Sequence, residues 1–254
     1  RKIGYDILGM KVRSALVHGT TEVEASEGIR TSLRLGDSAL IVGEVRSDEA
    51  KALYEAMRIG ALANVVAGTI HGDSPYGVFD RVVNDLNVPA TSFKATDIII
   101  VANPVKTADG LHSKRRVISL TEVRKHWSKD PLLENGFVDL LRYNVEKDEL
   151  QPTDELINGG SDILKAIAGG VKGWAGNWDA VYDNIVLRGK VKQEIVEAAE
   201  KLDKPELLEA RFNSLSNNVF YKISDEVRKE YGLPIGELVF QRWREWVYKA
   251  AEKL

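Results

Sequence analysis

The chain has 254 residues, 44% of them hydrophobic, with a formal net charge of −3 and no cysteine. This composition supports one large domain or two smaller ones. It excludes a disulfide framework and a thiolate metal site, and it gives no global electrostatic case for nucleic acid.

Residues 1–35 read as a short apolar element, a polar loop around His18-Gly-Thr-Thr21, and a helix within Glu24–Arg34 with Ser26 as its N-cap. Arg30 and Arg34 stand four apart and share one helical face. They form either a solvated basic edge or a pair offered to a phosphate or a neighbouring subunit. Ala39-Leu-Ile-Val42 then predicts a strand buried on both faces. It ends in Gly43, followed by Glu44 and Arg46.

Ser47-Asp-Glu49 starts a helix, with acidic residues in the first turn. Ala50, Leu53, Tyr54 and Met57 form its apolar stripe, and Gly60 ends it. A second strand, Asn64–His71, follows. Residues 39–71 therefore predict a βαβ unit with parallel strands. Glu44, Arg46, Thr69 and His71 would meet past the C-terminal strand ends, where open α/β sheets bind ligands.

Asp73-Ser-Pro75 opens a helix that Pro89 stops. Asp97–Ala102 predicts another strand apolar on both faces, and Lys106–His112 a turn into the alternating strand Arg116–Val123. One more strand falls at Phe137–Tyr143, after which helices dominate, with starts at Thr153, Ser161, Asn177, Pro205 and Ile235. The expected domains are 1–150 and 151–254. No apolar run approaches the roughly 18 residues of a membrane span, and no signal peptide opens the chain.

A carboxylate at a strand end, such as Glu44, can orient or deprotonate an attacking water; otherwise it is a surface partner of Arg46. His71 can contact a phosphate or stand as a satisfied histidine. The histidines show no metal-ligand spacing. Magnesium held through phosphates and water needs none. Trp174, Trp178, Trp243, Trp246 and Tyr248 sit at helical spacings that suit core or interface packing. Lys114-Arg-Arg116 and Arg242/Arg244 read as solvated basic faces, with contact to acidic lipid or a partner as the alternative.

Leu35-Gly-Asp-Ser-Ala-Leu-Ile-Val-Gly-Glu-Val-Arg-Ser-Asp-Glu-Ala50, with Glu55-Ala-Met57 and Thr69-Ile-His71, resembles the secretion and pilus-assembly ATPase superfamily. The wording is most similar to archaeal type II/IV secretion system ATPases. The specific match covers residues 29–101 and weakens toward Val123.

The resemblance implies an α/β fold, the C-terminal part of a RecA-like P-loop NTPase core with a mostly parallel sheet, followed by a mainly helical region. It implies ATP and Mg2+ as ligands, a homo-oligomeric, usually hexameric ring, and a polytopic membrane platform protein as partner. A cytoplasmic, peripherally membrane-associated location follows from the same resemblance. Glu44 would be the Walker B glutamate, meeting magnesium through water, and His71 the His-box histidine. Thr69 would bind nucleotide phosphate, and Arg30, Arg34 and Arg46 would be phosphate-sensing or cross-subunit residues.

The chain has Leu35-Gly-Asp37 where the family often has Arg-Pro-Asp. It also lacks the phosphate-binding Gly-x-x-x-x-Gly-Lys-Ser/Thr loop and the upstream acidic box. The expectation is therefore a C-terminal portion of a motor that does not hold ATP tightly by itself. A non-hydrolysing interaction subunit of such a ring and a DNA-translocating RecA-type ATPase are the alternatives.

Overall fold

The hairpin signal at Lys106–His112 decides the larger sheet. The structure, a computed structural model, describes residues 7–10, 24–32, 39–59, 65–107 and 109–253. In it Thr107 N donates to the His112 carbonyl at 3.0 Å, and Gly110 takes a positive φ of 69°. That tight reversal turns β3 (Ile98–Lys106) back along β4 (Ser113–Val123). β5 (Phe137–Asn144) and β6 (Glu149–Pro152) extend the sheet in the order β3-β4-β5-β6, every pair antiparallel.

The expectation of a mostly parallel RecA-like sheet is corrected by this topology. Only β1 (Ala39–Val42) and β2 (Val65–Gly68) run parallel, in a separate two-stranded sheet. The reason lies in the connections. A parallel pair needs a crossover of a dozen or more residues. The segment carrying α2 (Glu49–Ile59) supplies one with a helix, whereas residues 107–112 and 145–148 are tight turns and the longer connection 124–136 carries no helix to cross over the sheet.

The reading of Ala39–Val42 as buried on both faces is corrected too. β1 alternates between exposed and half-buried residues, and Ile41 is 76% exposed. β1 and β2 bury only the face that meets α2. Ile98–Ala102 likewise alternates, with Ile99 and Val101 buried and Ile100 exposed.

The chain divides into two compact units. Gly9–Leu164 is one, and Lys165–Leu254, with Ile7 and Leu8, is the other. The first unit thus runs past the boundary near 150, because β6 pairs with β5 across it. Its core joins α1 (Ala25–Ser32), α2, α3 (Pro75–Asp80, continued by a π-helical turn at Arg81–Asp85), α4 (Ala90–Phe93) and the first strand of the larger sheet. Phe79 meets Phe93 and Trp127 edge-on at 5.1 and 5.6 Å. Such pairs add about 0.5–1.5 kcal/mol each beyond the area they bury.

A buried charge network ties the sheet to residues 155–162, the last stretch of the first unit. Glu122 and Arg124, at and just past the end of β4, are both buried, and Arg124 Nη1 lies 3.0 Å from Glu122 Oε1. The N-termini of α5 (Asp154–Ile157) and α6 (Asp162–Gly169) complete the network. Arg124 reaches Asp162, Glu155 and the Gly160 carbonyl. Glu122 accepts from Ser161 Oγ and from Asp162 N.

The loop after β4 is fixed by one carboxylate. Glu134 accepts the backbone N–H groups of Ser128, Lys129 and Asp130, which hold its pKa down at about 2. A depressed carboxylate contributes stability that is complete above its ordinary value of 4.5 and is lost as pH falls toward 2. Glu134→Gln is therefore expected to flatten the fall of Tm across that window, read from thermal melts at a series of pH values. Parallel profiles for both proteins would contradict the assignment.

The second unit is helical among its described residues: α7 (Trp178–Lys201), a 3-10 turn at Pro205–Leu208, α8 (Ala210–Tyr231) and α9 (Gly236–Ala251). The helix expected to begin at Pro205 is thus a turn, and α8 starts beyond it. Trp243 is the central buried residue, its indole N–H donating to Ser216. Trp246 stacks on Phe212 at 5.8 Å. Buried Glu194 pairs with Arg244 at 2.7 Å, so that basic side chain is tied to the core instead of standing free.

Candidate functional site

Hydrogen bonds continue between the two segments past the ends of β1 and β2. Thr69 N donates to Val42 O at 3.4 Å, Val45 N donates to Thr69 O at 2.8 Å, and Thr69 Oγ1 donates to Gly43 O at 2.5 Å. This lacing fixes Glu44 on one segment opposite His71 on the other. Thr69 therefore acts through the Gly43 backbone. Gly72 lets the chain turn beside α3, because a Cβ there would lie 2.7 Å from Val78 Cγ2. A Cβ at Gly43 would meet nothing within 4 Å, so packing does not demand that glycine.

Glu44 is the centre of the cluster, its side chain 28% exposed. Oε2 accepts from Arg46 Nη2. Oε1 lies 3.1 Å from His71 Nε2. That approach is not aligned as a hydrogen bond, and Oε1 is shielded from solvent with no hydrogen-bond partner. The Arg46 guanidinium, assisted by His71, holds the Glu44 carboxyl below the usual carboxylate range. The group is thus ionised at neutral pH, with one oxygen anchored and the other available to accept a hydrogen bond.

The start of α2 locks Arg46 in place. Glu49 Oε1 accepts Ser47 N at 3.0 Å and also the Arg46 backbone N–H, satisfying donors before the first turn. Of the six residues expected at the site, Glu44, Arg46, Thr69 and His71 come together. Arg30 does not join them; its guanidinium pairs with Glu55 of α2 at 3.3 Å. Arg34 lies outside the described residues.

Glu49 is a site residue that the sequence reading assigned only to a helix start. Its signal was Ser47 two residues earlier, directly after the Arg46 it holds.

Among the described residues there is no group of three or more His, Cys, Asp or Glu able to hold a metal ion. A divalent cation caged by protein ligands does not fit this cluster. One met through water by the free Glu44 oxygen does, since that oxygen is shielded and lacks a partner. Among the described residues no helix is long and apolar enough to cross a membrane.

The geometry defines a class: a polar cluster past the C-terminal ends of a parallel strand pair, built around an ionised carboxylate with a free oxygen. No protein-family model matches the chain. It is similar to the uncharacterized protein MJ1287 of Methanocaldococcus jannaschii, 31% identical over 149 residues. The match covers 58% of this chain and 50% of that protein, so the chain spans about half the length of the curated relative it matches.

Proposed function

We propose that this chain carries the water-activating part of an ATP hydrolysis site in a secretion or filament-assembly motor. The motor would work as a homo-oligomeric ring on the cytoplasmic face of a membrane, against a polytopic platform protein. The observation that carries the reading is the Glu44 carboxylate, with Oε2 fixed by Arg46 and Oε1 shielded and without a hydrogen-bond partner. The Gly43-Glu-Val-Arg46 and Thr69-Ile-His71 wording supports it independently.

In this reading Glu44 Oε1 accepts a proton of the attacking water and aligns its lone pair with the γ-phosphoryl group. Its lowered pKa suits orientation and charge more than strong basicity, and phosphoryl transfer depends chiefly on positioning. Exposed His71, beside the same oxygen, is placed to donate to a phosphate oxygen. Arg46 keeps the carboxylate from turning away. Magnesium, when bound with ATP, supplies neutralising charge on the phosphates.

NMR of the histidine rings in the native polypeptide tests the reading. Adding MgATP should shift the His71 imidazole signals and leave those of His112, which pairs with Asp109, in place. An unchanged His71 signal at saturating nucleotide would count against it.

A further inference from the structure

Away from the Glu44 cluster, the outer face of α2 borders a groove of about 430 Å³. Tyr54, Val88 and Ser92 are buried and floor it, and Pro89 adds an apolar wall. Lys51, Glu55 and Arg58 are exposed along its rim. On a helix these positions share one face.

The charges on that rim do not cancel. Glu55 is engaged by Arg30 at 3.3 Å. Lys51 has no ion-pair partner among the described residues, and Arg58 gives one hydrogen bond, from Nη1 to Ser92 Oγ at 3.2 Å. Two cations are therefore left beside a floor whose apolar part is Tyr54, Val88 and Pro89.

Lys51 and Arg58 are separated by about 10 Å along the helix at roughly 1.5 Å per residue. That is too far for both to close on one phosphate. An extended polyproline II chain has three residues per turn and rises about 3.1 Å per residue. Carboxylates three residues apart on such a chain share one face about 9 Å apart and match the spacing, and the apolar side chain between them lies to the side, toward Tyr54 and Val88.

We propose that this groove binds an acidic, extended peptide segment of another protein chain. The segment lies along α2, one carboxylate on Lys51 and the next on Arg58.

The test is fluorescence anisotropy of the full chain with a labelled Glu-Leu-Ala-Glu peptide at low ionic strength. Binding is expected, and the Gln-Leu-Ala-Gln peptide is expected to bind much more weakly. Lys51→Glu with Arg58→Glu should weaken the acidic peptide by about tenfold or more. Lys51→Ala, a milder change on the exposed rim, should weaken it by about threefold. Arg115→Glu, an exposed charge on β4, should leave binding unchanged.

Equal binding of the glutamine peptide, or of the charge-reversed protein, overturns the proposal. So does an equal loss with Arg115→Glu, which would mean general charge attraction. Displacement by millimolar inorganic phosphate would also overturn it, by marking a small-anion site.

Discussion

Glu44→Gln in the native polypeptide is expected to lower ATP turnover by about 10²–10⁴-fold, the range for a positioned proton acceptor, while nucleotide affinity stays essentially unchanged. The substitution keeps the side-chain shape and an oxygen for Arg46. It removes the charge that makes Oε1 a strong acceptor. The pair it alters is solvent-facing, with Arg46 70% exposed. Exposed ion pairs contribute little to stability, so the melting temperature should hold. Loss of activity together with loss of folding would not support the reading; loss of activity in a folded, nucleotide-binding protein would.

The largest expected effect on stability lies elsewhere in the same unit. Arg124→Ala removes one partner of a buried ion pair and leaves Glu122 charged in the interior. Removing one member of such a pair costs about 3–5 kcal/mol. The lower end is expected here, because Ser161 Oγ and Asp162 N still donate to the carboxylate. Native-state hydrogen exchange of the β4 and β5 amides would register the change. Glu122→Gln combined with Arg124→Ala should cost less than the two single changes added together, because the stranded charge is gone. Strict additivity would mean that the two side chains do not act as a unit.

Much of the local structure was legible. The turn at Lys106–His112, the Ser74 cap ahead of Pro75 and the caps at Thr153 and Asn177 all form where turn and capping chemistry put them. The parallel pairing of β1 with β2 followed from the helix between them. The convergence of Glu44, Arg46, Thr69 and His71 was legible for the same reason: parallel strands end side by side.

What failed was the inference from apolar runs to burial. Ala39–Val42 and Ile98–Ala102 are continuous apolar stretches, yet each presents one face outward. A short apolar run shows what a strand can bury, and the neighbouring elements decide what it does bury. The mostly parallel sheet fell with it, since no helix lies between β3 and β6 to carry a crossover.

The Glu122–Arg124 network was also missed, although its signal is visible. On alternation, Glu122 shares a face with Ile118 and Leu120, so an apolar face carries a carboxylate two residues before an arginine. A charge on the inward side of a strand calls for a partner. Nothing in the sequence shows that the partners beyond Arg124 come from 155–162, because those contacts depend on where two later helices begin.

The most direct test is phosphate release from MgATP by the intact motor, with its phosphate-binding loop present, measured beside its Glu44→Gln variant at neutral pH. The account predicts turnover in the first and almost none in the second, with both binding nucleotide. Turnover that survives Glu44→Gln, or none above background in the unaltered protein, would contradict it.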